Sequence, residues 1–126
     1  MTNLQKLALV PPFLLGLVMS AMALFAPTKI AEVLGGVTAT GPVGAATLHA
    51  DFTAYFTVFT IGVGAALFAG KRTWLWAPLG LFGITGIVRV IHGLMSGFGV
   101  GAAQPILIEI VTCGLILFAM RSSKST

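Results

Sequence analysis

VGAATLHADFTAYFTVFTIGVGAALFA, residues 43–69, is an apolar run broken by one carboxylate, Asp51, and one imidazole, His49. A helix needs ~20 residues to cross ~30 Å of hydrocarbon, and this run exceeds that. It does not alternate apolar and polar residues, as a strand of a membrane barrel must. In lipid the backbone has no water to bond, and a helix satisfies its own N–H and C=O groups. The run therefore reads as a membrane-spanning helix.

Working outward, three more apolar runs appear: Leu4 to Ala26, Trp74 to Ser96, and a shorter one from Ile106 to Met120. The breaks between them carry turn chemistry. Pro27 stands where the first helix should stop, and Gly35-Gly36 and Gly41-Pro42 flank the second break. Between these, Thr28 to Leu34 has the pattern of a short amphipathic helix lying on the membrane surface. Gly70-Lys71-Arg72-Thr73 is a tight charged turn, and Gly97 to Ala102 forms the third connection, closed by Pro105. Short connections make consecutive helices antiparallel neighbours. The fold class expected is all-α: a four-transmembrane-helix bundle with helices at about 4–26, 43–70, 74–97 and 104–121, one domain over residues 1–126. The polar tail Arg121 to Thr126 is expected to fray.

Composition agrees. Of 126 residues only 8% are charged and 57% are apolar, and mean hydropathy is +1.04. A soluble domain carries about a quarter of its residues as charges. Lys6 and Ala21-Met22-Ala23 resemble parts of a signal peptide, but Pro11-Pro12 interrupt its apolar core and the run is long enough to span. It is read as a true first helix.

The net charge of +4 does not indicate nucleic acid, because the seven basic residues form no patch. Topology accounts for them. Four spans place the N-terminus, the 70–73 turn and the C-terminus on one side, with Lys6, Lys71, Arg72, Arg121 and Lys124. The other side has Lys29, offset by Glu32. This asymmetry predicts a cell inner membrane protein with both termini cytoplasmic. Trp74 and Trp76 beside that basic turn fit an interfacial anchor.

Three charges remain inside the apolar runs: Asp51, Arg89 and Glu109, joined by His92. A charge within the bilayer costs at least ~2.5–3.5 kcal/mol on insertion scales, and marks a functional site by default. Counted from the outer helix ends, at ~1.5 Å per residue, all four lie roughly 7–12 Å deep. Packed helices would bring them to one level. Arg89 and His92 are spaced i, i+3 and share a helical face; Asp51 and Tyr55 are spaced i, i+4, which sets a phenol beside the carboxylate. His49, two residues from Asp51, points elsewhere. One guanidinium facing two carboxylates leaves a net −1, which protonation of His92 or of one carboxylate would neutralise. The bland alternative is an ion-pair network that only holds helices together. Gly80, Gly83, Gly86, Gly93 and Gly97 on the third span would let another backbone approach closely.

Other chemistry finds no support. Cys113 is the lone cysteine, and no ligand spacing indicates a metal; Arg89 at the level of the acids would repel one. Gly97-Phe98-Gly99-Val100-Gly101 follows a membrane helix rather than a strand, so it is a turn and not a nucleotide loop. No cofactor is expected. A proton-coupled permease is disfavoured, since no internal repeat is visible and Pro11-Pro12 is the one break-like feature.

Pro27, Leu34-Gly35, Leu48-His49-Ala50-Asp51-Phe52, Gly86-Ile87-Val88-Arg89, Gly93 and Glu109 together give the chain a resemblance. It resembles the bacterial four-helix integral membrane family known as domain of unknown function 4345 and, more distantly, DoxX-like proteins. His49 stands where that family often carries Arg, and Thr53-Ala54 where it often carries Gly-Gly. The resemblance implies the four-helix fold and groups Asp51, Arg89 and Glu109 as a set; it implies no activity. Small multidrug-resistance transporters are a poorer match, because they depend on a carboxylate in a first helix that here has none. Two functions stay open. In one, Asp51, Tyr55, Arg89, His92 and Glu109 bind a lipophilic small molecule in the outer half of the bilayer, the acids and His92 being candidate acid/base groups. In the other, the chain is an accessory subunit, contacting a membrane partner protein or forming a homodimer.

Overall fold

The computed structural model describes residues 1–39 and 41–122. The tail from Ser123 on, including the Lys124 charge, lies outside the described residues. Within them the chain is all-helical, with four helices long and apolar enough to cross a membrane. These are α1 (Asn3–Phe25), α3 (Gly41–Ala69), α4 (Trp76–Ser96) and α5 (Ala103–Met120). The short helix α2 (Pro27–Val33) follows α1, and a 3₁₀ turn (Arg72–Leu75) leads into α4.

Local chemistry sets the boundaries. Thr2 caps α1: its hydroxyl accepts from the Gln5 amide at 3.1 Å while the Gln5 side chain accepts from the Thr2 amide at 2.9 Å. This reciprocal capping box satisfies two otherwise orphaned donors. At the other end Ala26 leaves helical geometry, and Pro27 opens α2 at a position where its missing N–H costs nothing. Gly70 takes φ +66°, a left-handed conformation that ends α3 ahead of the charged turn.

Pro11 and Pro12 lie inside α1, which is continuous through both, as expected of a true first helix. Each removes one backbone bond, a loss that membrane-spanning helices tolerate. Pro12 is fully buried.

α1 packs most extensively on α3, and α5 fits against α1 and α4. Leu9, Phe59, Val63, Leu75 and Ile116 are fully enclosed. Ser20 donates to Thr60 Oγ1 at 3.0 Å, since the Thr60 hydroxyl already gives its proton to the Phe56 carbonyl at 2.7 Å. No more than 28% of any span is buried inside the protein. Most of each apolar helix therefore faces outward, where water would be an unfavourable neighbour and lipid is a suitable one.

The tightest contacts between spans at glycine are on α1 and α3. A methyl group on Gly16 of α1 would overlap Thr60 and Phe59, and one on Gly62 of α3 would lie 2.6 Å from Pro78 Cδ. On α4, Gly80 and Gly83 have open space beside them, Gly86 faces Glu109, Gly93 receives the ring of Phe98, and Gly97 takes φ +88° after the last turn. Within the chain the stripe seats side chains, Glu109 at Gly86 and Phe98 at Gly93.

Candidate functional site

The site lies at the end of the bundle opposite the N-terminus and the last turn of α5. α1 delivers its C-terminus there, α3 and α5 their first turns, α4 its last. His49 of α3 fastens this end: its Nε2 lies 2.9 Å from the Leu24 carbonyl, one of the last four of α1. Such carbonyls lack an intrahelical partner, so the ring provides one. His49 thus points away from Asp51, as its spacing implied.

Arg89 of α4 and Glu109 of α5 form an ion pair, Nε to Oε1 at 2.8 Å. The Glu109 side chain is only 8% exposed and the Arg89 side chain 35%. Glu109 Oε2 is buried and has no hydrogen-bond partner among the described residues. It lies against Gly86, where a methyl group would come within 3.3 Å of it. A glycine at that position gives the carboxylate room to sit flush on α4. The Nη groups of Arg89 make no hydrogen bond to the described residues, so the pair leaves donors free.

Beside this pair is a cavity of about 570 Å³ whose walls include Asp51, Tyr55, Arg89 and Glu109. Leu15 and Met19 of α1, with Phe52, Phe56 and Phe82, make an apolar floor. The rings are ordered: Phe59 stacks on Phe82 with centroids 4.3 Å apart, and Tyr55 lies over Phe82 at 6.2 Å. Leu34 and Gly35 after α2, and Val100 and Gly101 between α4 and α5, close the outer rim. The volume falls within the ~300–1,000 Å³ usual for small-molecule sites, and mostly apolar walls with a few polar groups are their usual lining.

Three expectations need correction. Asp51 lines the cavity but makes no ion pair with Arg89 and no side-chain hydrogen bond among the described residues; it is exposed. One guanidinium cannot point its Nε at both acids, and Glu109, the buried one, has more to gain from it. Tyr55 does not bond Asp51. Its hydroxyl lies 2.9 Å from the Leu81 carbonyl and 2.8 Å from Thr85 Oγ1, tying α3 to α4. An i, i+4 spacing puts two residues on one face, but a phenol is long enough to reach the neighbouring helix. His92 is exposed and lines a separate, shallower groove of about 510 Å³, which shares Arg89 and Thr85 with the larger cavity. Three residues after Arg89 and on the same side of α4, it lies nearer the helix end, beside Gly97, Phe98 and Ile106.

Two features lay beyond the sequence reading. Thr85 partners Tyr55, with nothing in its apolar surroundings to single it out. At the opposite end, buried Gln5 uses both amide protons, giving them to the Phe118 carbonyl at 3.3 Å and the Arg121 carbonyl at 2.7 Å, while its oxygen lies 3.4 Å from Arg72 Nη2. The Thr2-x-x-Gln5 pattern was a readable signal for its helix cap, though not for these long-range bonds. Among the described residues, no three of His, Cys, Asp and Glu gather as a metal site would require.

The arrangement can accept a hydrogen-bonding headgroup at Asp51 and Arg89 and an apolar body along the aromatic floor. No family model matches the chain, and comparison with curated proteins and with solved structures finds no match either.

Proposed function

We propose that this protein holds a lipophilic small molecule with its polar head at Asp51, Arg89 and Glu109, in the outer half of the bilayer. One observation supports the reading most: a single cavity of about 570 Å³ gathers those three charged residues and Tyr55 above an aromatic floor. Charges in a membrane are costly, and helix pairing alone would not leave Asp51 and the Arg89 Nη groups unbonded beside an open volume. The protein is read as an inner-membrane protein with both termini in the cytoplasm, related to the family known as domain of unknown function 4345. His92 lies outside the main cavity.

Native mass spectrometry of protein extracted in mild detergent tests the proposal. The expected result is a co-purifying amphiphile that is lost when the cavity floor is filled by Met19→Trp, in a variant that stays folded. An unchanged lipid complement in that variant would remove the support.

A second reading has its own observation. Gly80 and Gly83 lie on an open face of α4, next to exposed Ile84, Ile87 and Ile91. A partner helix, from another protein or a second copy, could pack there. In that case Arg89–Glu109 serves only to fix α4 against α5. A stoichiometric second chain in the same mass measurement would favour this reading, and a sharp monomer would count against it.

A further inference from the structure

The polar groups that line the cavity differ in what they lack, and this defines the head that would complete them. Glu109 already has its counter-charge at 2.8 Å. Asp51 has none: it is exposed, at the rim, and bonds no described side chain. Arg89 spends Nε on Glu109 and has two NH₂ groups left, on a side chain 35% exposed. The unmatched groups facing one volume are therefore an acceptor with negative charge and a set of donors with positive charge.

Each simple head fails one of them. An anionic head satisfies the Arg89 Nη groups but brings a third negative charge among Asp51 and Glu109, where one guanidinium serves all three. A cationic head suits Asp51 but opposes Arg89. A neutral hydroxyl can donate and accept at one point, yet leaves the Asp51 charge unmatched. A head with an ammonium at one end and a phosphate at the other answers both. Its N–H groups donate to the Asp51 carboxylate and its phosphate oxygens accept from the Arg89 Nη groups, in charge-assisted bonds of the stronger kind. Its zero net charge adds nothing to the −1 of the site.

Resting on the ligand-binding reading above, we infer that the cavity takes a zwitterionic phospholipid bearing a primary ammonium, held between Asp51 and the free Nη groups of Arg89, with an acyl chain over Tyr55, Phe56 and Phe82.

The test uses the full chain, delipidated in detergent, and three probes with the same acyl chain: lysophosphatidylethanolamine, lysophosphatidylglycerol and monoacylglycerol. Binding is read by native mass spectrometry as a function of probe concentration. The ethanolamine probe is expected to bind about five- to tenfold more tightly than the other two, the range one or two charge-assisted hydrogen bonds at a partly exposed site provide. In Asp51→Asn, which alters an exposed and unbonded side chain and is expected to fold normally, that preference over the glycerol probe falls to within about twofold, again by the loss of one such bond. Equal binding of the ethanolamine and glycerol probes, or a preference that survives Asp51→Asn, overturns the headgroup inference while leaving a lipid-binding cavity. Saturable retention of none of the three overturns both.

Discussion

At the scale of single residues, the Arg89–Glu109 pair is where electrostatics decides most. Its carboxylate is nearly enclosed and its guanidinium partly exposed. Breaking a buried pair leaves one charge without compensation and costs about 3–5 kcal/mol, while replacing both partners by apolar groups of similar size is often neutral. Because Arg89 can turn toward water or headgroups, the lower part of that range applies. Glu109→Leu is therefore expected to destabilise the bundle by about 3 kcal/mol, and the double change Arg89→Met with Glu109→Leu to recover most of it. Unfolding by titration with sodium dodecyl sulfate in mixed micelles measures both. A double variant no more stable than the single one would mean the pair contributes net stability of its own.

Counting depth from the helix ends was enough to put Arg89 and Glu109 at one level, because both sit on uninterrupted helices joined by a short connection. The same count could not resolve Asp51, His92 or Tyr55. Depth fixes the level of a side chain but leaves its direction and reach open. Asp51 shares the cavity and stays unpaired, His92 lines the neighbouring groove, and the Tyr55 hydroxyl crosses to α4.

At the scale of elements, helix ends were legible because breakers marked them: Pro27, Gly70 and Gly97 each stand within a residue or two of an observed boundary. What no single chain position reveals is which glycine faces a neighbour. Glycine is common in membrane helices, so its spacing along α4 drew attention while the contacts at Gly16 and Gly62 went unmarked. Gly62 is the sharper case. A methyl there would lie 2.6 Å from Pro78 Cδ and 2.9 Å from the Trp74 carbonyl oxygen, both rigid parts of the turn into α4. Gly62→Ala is thus expected to cost about 1–3 kcal/mol, as overpacking does. Gly80→Ala, with nothing within 4 Å of the new methyl, is expected to be neutral or stabilising by up to ~1 kcal/mol through lower helix entropy cost. Thermal unfolding of the two variants in the same detergent compares them directly. Equal losses would show that α4 has a neighbour on its open face, as the partner-protein reading requires.

At the scale of the whole molecule, charge and fold combine into a statement about orientation. Gln5 bonds the carbonyls of Phe118 and Arg121 and approaches Arg72, so the N-terminus, the charged turn and the end of α5 lie together at one end of the bundle. Lys6, Lys71, Arg72 and Arg121 are gathered there, while the opposite end has Lys29 with Glu32 three residues on. Translocating four clustered cations is opposed by the same bias that retains Lys and Arg in cytoplasmic loops. The cavity end should then face outward. With Cys113→Ala as background, Thr38→Cys samples the segment between α2 and α3, and Ser122→Cys the end beyond α5; both positions are exposed. A membrane-impermeant maleimide added to intact spheroplasts is expected to label Cys at position 38 and to reach position 122 only after permeabilisation. The reverse pattern would put the cavity on the cytoplasmic side. It would leave the Arg89–Glu109 geometry intact but move its ligand to the inner leaflet, so this labelling decides which leaflet's lipids are the relevant probes.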